Sequence, residues 1–135
     1  MGIIIEKEIE HVAIASNTEE DSDRFFIELL GLIKTRSFEV SADLMEKFFG
    51  VNKIQKIVRY EKDSVSFEVF ITDDENKAKD IFSHVCILIK DRDIFVNKAS
   101  SMGFSIIKVP RTDGNGYYLF IKDAYQNLYE IKELE

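Results

Sequence analysis

One cysteine, Cys86, one proline, Pro110, and two histidines, His11 and His84, are all the 135 residues hold of these types. A lone cysteine excludes an internal disulfide and fits a reducing, cytoplasmic setting. No stretch approaches the ~18 consecutive apolar residues of a transmembrane helix, so no membrane span is expected. The N-terminal MGIIIEKEIEH has no basic region ahead of its apolar residues and does not read as a signal peptide. Basic residues are outnumbered, 18 against 25 acidic, and the formal net charge of -7 repels a phosphate backbone. Nucleic acid is therefore not an expected partner. Low-complexity tracts are missing. So are GxSxG, HExxH, the P-loop and GxGxxG in a suitable setting.

What the chain has is apolar bulk and an internal echo. The apolar fraction is 45%, with eleven Phe and five Tyr, enough for one domain over residues 1–135 with a substantial core. HVAIASN begins at His11 and HVCILIK at His84, 73 residues later. A helix-like segment follows each and ends at glycine, Gly31 or Gly103, 72 residues apart. Each half closes on a strand with a carboxylate among apolar residues, Glu68 in FEVFI and Glu130 in LYEIK, 62 residues apart. The shortened last offset matches an extra element in the first half, a short helix near residues 41–50. Three landmarks recurring in order read as a duplicated unit.

The elements follow from periodicity and caps. Residues 9–15 read as a strand, and Asn17 or Thr18 caps a helix with Phe25, Phe26, Leu29 and Leu30 at helical spacing. Residues 32–38 read as a strand. Ser41 caps the short helix through Leu44, Met45, Phe48 and Phe49, which Gly50 closes. Strands at 53–60 and 64–72 surround a turn at Lys62 and Asp63. In the second half, 84–90 is a strand and Asp91 or Asp93 caps a helix whose inner face is Phe95, Ala99 and Met102. Residues 104–109, 117–122 and 128–132 are strands, Pro110 opens the loop PRTDGNG, and DAYQN turns between the last two strands. The fold class is α+β, two tandem βαβββ modules at about 7–75 and 84–135, with a linker at about 73–83.

Four side chains stand out. Residues on a strand alternate faces, so Glu68 shares a side with Ser66 and Phe70. A carboxylate on such a face is costly unless paired or bound to a cation, and Glu130 repeats the case. Each histidine lies in the first strand of its half, and each glutamate lies in the last. If each half curls into a half-barrel, the two His and two Glu can converge, and such nitrogen and oxygen ligands suit Zn, Ni, Co, Mn or Fe as divalent ions. Cys86, two residues after His84, points to the same side; a thiol ligand is one reading, and a small buried hydrophobe is the one preferred.

The stretches IEHVAIA, FFIELLGL, FEVFI, HVCILI and FIKDAYQNLYEI, in this order, resemble the vicinal oxygen chelate superfamily, which includes glyoxalase I and the bleomycin-resistance proteins. Asp123, Asn127 and Glu130 match the family's strand-turn-strand ending, with Gln126 where the family often has glycine. The resemblance implies an open barrel around a metal held by His11, Glu68, His84 and Glu130. It further implies a lyase or isomerase of the glyoxalase I or methylmalonyl-CoA epimerase type, moving a proton beside a carbonyl while the metal stabilises an enolate or enediolate, with Glu130 or Glu68 as base. A non-catalytic, bleomycin-resistance-like binding protein and a metal-dependent thiol transferase are the alternatives. Where bacterial glyoxalase I has its glutathione arginine and asparagine, this chain has Ala15 and Thr72. A small-molecule substrate is expected, and Arg36 and Arg59, with Lys108 and Arg111, are the cations placed to meet an anionic group on it. Tyr117 and Tyr118 follow the Gly114–Gly116 loop. Closing the open sheet edges makes a homodimer the expected assembly.

Overall fold

Alternation along the last strand of each half divides the molecule into a core side and a cleft side. The computed structural model describes residues 2, 6, 8–75 and 82–135. Eight strands form two four-stranded sheets. The first sheet has the order β1-β4-β3-β2, from β1 (Val12–Ser16), β2 (Ile33–Val40), β3 (Gln55–Lys62) and β4 (Val65–Ile71). The second has the equivalent order β5-β8-β7-β6, from β5 (His84–Ile89), β6 (Ser105–Pro110), β7 (Tyr117–Lys122) and β8 (Leu128–Glu133). In each, the first strand lies parallel to the last and the other neighbours are antiparallel. Two like α+β units are thus present, as the echo implies. The expected linker lies partly outside the described residues.

On β4, Phe67, Val69 and Ile71 are buried while Ser66, Glu68 and Phe70 are only partly so. On β8, Tyr129 and Ile131 are buried and Glu130 is not. The buried sides meet in one core with the helices. Phe26 stacks on Tyr60 at 5.0 Å, and Phe25 packs against Phe104 and Tyr129 at 5.3 and 4.7 Å. Arg24 donates from Nη2 to the Met102 carbonyl at 2.8 Å, a further tie between the halves.

The caps are those the side chains dictate. Thr18 accepts from the Asp21 amide at the start of α1 (Glu19–Ser22). Ser41 accepts from the Leu44 amide to begin α2 (Ala42–Phe49), and Asp91 accepts from the Ile94 amide to begin α3 (Arg92–Ser101). Gly31, Gly50 and Gly103 close these helical segments at φ of +73°, +73° and +87°, a backbone region open to glycine without a Cβ clash.

Four expectations need correction. First, the first helix does not stay α-helical: Asp23–Leu29 is a π-helix, in which the Leu30 amide reaches back to the Phe25 carbonyl at 3.0 Å. Phe25, Phe26 and Leu29 are buried by either winding, so their spacing does not reveal the change. Second, β1 begins at Val12, leaving His11 just ahead of it. Third, Pro110 ends β6 instead of opening the loop; this is an edge strand, where a missing amide donor is tolerated. Fourth, Cys86 is exposed, not buried, because its side of β5 faces away from the core. No described helix is long and apolar enough to cross a membrane.

Candidate metal centre

Parallel pairing of first and last strand places a histidine beside a glutamate in each module. Ala13 lies opposite Glu68 and Cys86 opposite Glu130, so each histidine sits two residues before its glutamate's partner, on the same face. His11 Nε2 lies 3.5 Å from Glu68 Oε1, and His84 Nε2 lies 3.4 Å from Glu130 Oε1. The other ring nitrogens are occupied: His11 Nδ1 contacts Glu10 Oε2 at 2.5 Å, and His84 Nδ1 contacts the Phe82 carbonyl oxygen at 2.9 Å. A metal-binding imidazole is commonly oriented in this way, one nitrogen held by an oxygen acceptor and the other turned to the ion. Imidazole nitrogen and carboxylate oxygen are donor types that suit a divalent ion of the Zn, Ni, Co, Mn or Fe type, and each module brings one of each together. Sequence reasoning missed Glu10 and the Phe82 carbonyl, although Glu10 is the residue directly before His11.

The four are brought together two by two, not as a single cluster. Among the described residues no three His, Cys, Asp or Glu side chains group so as to hold a metal. Residues 9–12 share a cavity with Val85, Cys86, Ile87 and Leu88, whereas Val12, Ala13 and Ile14 share another with His84, Asn127 and Leu128. Asn127 Nδ2 donates to the Ala15 carbonyl at 2.7 Å at that second end. So β1 and β5 run past each other in opposite senses, with Val12 and Val85 lining both cavities, His11 only the first and His84 only the second.

The two carboxylates have different surroundings. Across β3, Arg59 faces Glu68 and donates from Nη1 to Glu68 Oε2 at 3.2 Å. Its Nε donates to Glu61 Oε2 at 2.6 Å and Ser66 Oγ at 3.1 Å, and its Nη2 donates to Glu10. The Arg59 hydrogen bonds hold the Glu10 and Glu61 carboxyls below their usual range, with lesser help from His11 and Ser66 respectively. Across β7, Glu130 faces Phe120, an apolar side chain, and the His84 ring meets the Phe120 ring edge-on at 5.6 Å. Partial desolvation by its neighbours, then the Glu130 charge, push the Cys86 thiol up, which favours the thiol over the thiolate.

The remaining expected contacts are distributed elsewhere. Arg36 stands beside Arg59 on the cleft side, its guanidinium 4.2 Å from the Phe38 ring centre. Lys108 lies over Tyr117 and Arg111 over Tyr118, at 4.2 and 4.3 Å. Tyr117 donates to Asp93 at 2.5 Å, and the Gly114–Gly116 loop is a hydrogen-bonded turn closed by the Arg111 amide on the Gly116 carbonyl at 2.9 Å.

No protein-family model matches the chain, and no curated protein matches it by sequence. Solved structures do match. A glyoxalase family protein from Bacillus cereus superposes with a TM-score of 0.72 at 16% identity, covering 98% of this chain and 97% of that one. A glyoxalase family protein from Enterococcus faecalis gives 0.69 at 21% identity, covering 94% and 98%. A fosfomycin resistance protein from Listeria monocytogenes, FosX, in a mutant form complexed with Mn(II) and 1S,2S-dihydroxypropylphosphonic acid, gives 0.70 at 13% identity, covering 97% and 95%. The chain has the fold of these proteins.

Proposed function

We propose that the protein is a divalent-metal-dependent lyase or isomerase that moves a proton beside a carbonyl, working as a homodimer. The observation that carries this reading is the repeated His–Glu pair, in the same register in both modules, with each Nε2 toward its glutamate and each Nδ1 held from behind. His11, Glu68, His84 and Glu130 are the proposed ligands. Because no three of these side chains group within the described residues of one chain, a two-fold copy is proposed to complete each site. His11 and Glu68 of one protomer then meet His84 and Glu130 of its partner. The Mn(II) bound by the Listeria fosfomycin resistance protein of the same fold agrees with a divalent cofactor.

When bound, the ion supplies positive charge beside two vicinal substrate oxygens and lowers the energy of the enolate form. Glu68 has both carboxylate oxygens engaged, by His11 and Arg59, and serves to hold. Glu130 meets His84 through Oε1 and lies beside Cys86, and its Oε2 is the proposed base atom. Its Oε2 accepts the proton from the carbon α to the carbonyl as that C–H electron pair moves toward the carbonyl oxygen. It returns the proton to a neighbouring carbon or to a leaving atom, so no net proton is gained or lost.

Metal analysis of the purified protein, with turnover on a panel of α-hydroxycarbonyl, thioester and thiohemiacetal substrates, tests the reading. Glu130→Gln is expected to keep stoichiometric metal and lose turnover by about 100-fold or more. Wild-type turnover in Glu130→Gln, or no metal in the native protein, overturns it.

A further inference from the structure

The two histidines are held by different means. His84 lies inside the β5–β8 ladder, opposite Leu128, and its Nδ1 contacts only the Phe82 carbonyl. His11 lies ahead of β1, whose pairing with β4 begins at Val12 and Phe67, so the ladder does not reach it. What holds its ring is a carboxylate: Glu10 Oε2 lies 2.5 Å from His11 Nδ1. The Glu10 side chain is itself 64% exposed and has the rotamer freedom of any surface glutamate unless something fixes it. Arg59 fixes it, donating from Nη2 to Glu10 Oε1 and leaving Oε2 to the imidazole. The same guanidinium donates from Nη1 to Glu68 Oε2, and Glu68 turns Oε1 to His11 Nε2. Arg59 thus reaches one half-site by two routes, through Glu10 to His11 and directly to Glu68. Its own angle is set by Glu61 and Ser66, which accept from Nε at 2.6 and 3.1 Å.

The second module has neither part. Phe120 stands opposite Glu130 where Arg59 stands opposite Glu68, and a backbone carbonyl takes the place of Glu10. The rigid fork of a guanidinium serves several acceptors at fixed angles, which a lysine ammonium does not. We infer that Glu10 is the positioning residue of the first half-site, holding the His11 ring with its proton on Nδ1 and its Nε2 lone pair free for a metal, and that Arg59 holds Glu10 in place. This rests on the metal reading above and adds what prepares that half-site before an ion arrives. The rival explanation is charge. Glu10, Glu61 and Glu68 around one Arg59 leave the cluster negative, and a negative cluster draws a cation without orienting a ring.

The first measurement uses the full-length protein stripped of metal. Nitrogen-15 spectra of the imidazoles at about pH 8, above the ordinary histidine range, read which ring nitrogen carries the proton, and His84→Gln identifies the His11 signals. His11 is expected to carry its proton on Nδ1 in wild type and in Glu10→Gln, whose amide oxygen still accepts it, and to shift toward Nε2 in Glu10→Ala. A wild-type proton on Nε2, alone or together with one on Nδ1, overturns the inference, and so does a tautomer unchanged in Glu10→Ala. The second measurement is Mn(II) affinity, read by electron paramagnetic resonance. Glu10→Ala is expected to lose about 10- to 100-fold and Glu10→Gln only a few-fold. Equal losses in the two overturn positioning in favour of charge. In an Arg59→Met background Glu10 is already released, so Glu10→Ala is expected to cost several-fold less than it does in wild type. An undiminished cost overturns the part given to Arg59. If wild type binds no Mn(II), the metal reading falls, and the tautomer comparison alone decides the role of Glu10.

Discussion

Arg59 Nη1 donates to Glu68 Oε2 at 3.2 Å from directly across β3 and β4, and the same position opposite Glu130 is held by Phe120. One module therefore fixes its carboxylate with a cation, and the other leaves its carboxylate beside a ring. Arg59 also gathers Glu10 and Glu61, so its removal leaves three carboxylates close together.

That cluster sets a pH dependence. The hydrogen bond from Arg59 lowers the Glu10 and Glu61 pKa values below the ordinary carboxylate value of 4.5. A carboxylate whose folded pKa is depressed stabilises the fold above its unfolded pKa and loses that contribution as pH falls through the folded value. Arg59→Met is therefore expected to lower Tm at neutral pH, and the gap from wild type should close below about pH 4. Both residues are partly open to solvent, so added salt should also narrow it. Thermal melts across pH at two salt concentrations check this; a gap that is constant with pH would show that Arg59 acts through packing alone.

Asp123 is the buried acceptor of a knot at the β7–β8 turn. Its Oδ1 accepts from the Tyr125 and Asn127 amides, and its Oδ2 accepts from Asn127 Nδ2 and the Tyr129 hydroxyl, all at 2.8–3.0 Å. Asn127 then reaches the Ala15 carbonyl, which ties this turn to β1. Asp123→Ala strands several donors and is expected to cost about 3 kcal/mol by urea unfolding. A loss under about 1 kcal/mol would mean that water replaces the acceptor and the knot is not a fastening point.

Gln126, in the same turn, adopts φ +73°, the left-handed region. A Cβ there is unfavourable by about 1 kcal/mol, less the extra freedom glycine gives the unfolded chain. Gln126→Gly is expected to raise stability by about 0.5 kcal/mol. A loss of stability in urea unfolding would show that the glutamine side chain itself holds the turn.

These turns show which parts of the molecule are legible in the chain. The glycines at helix ends act locally, within a few residues, so spacing reveals them, whereas Asp123 and Asn127 are marked in the sequence by the family resemblance of their turn. The module order is legible for the same reason, since strand alternation, caps and the recurring His, Gly and Glu are all near-neighbour signals. Arg59 is different. Whether it meets substrate or Glu68 depends on the β3–β4 register, which no local pattern states. The exposure of Phe48 and Phe49 is likewise hidden, because an apolar stripe has the same spacing whether protein or solvent covers it.

The separation of the His–Glu pairs leads to the sharpest expectation. In a homodimer that joins His11 and Glu68 of one protomer to the partner's second pair, a site needs one sound module from each chain. His11→Ala alone spoils the first half of every site, and His84→Ala alone spoils the second, so each variant is expected to lack metal. Unfolded together, refolded and mixed in equal amounts, the two variants form about half heterodimers by chance. In each heterodimer one site carries both substitutions and the other carries neither. The mixture is therefore expected to recover about a quarter of the wild-type metal and turnover per chain. Sites built within single chains give no recovery, because every chain then carries one broken half. Metal analysis before and after mixing separates the two arrangements, and the wild-type mass in solution shows independently whether a dimer exists to carry them.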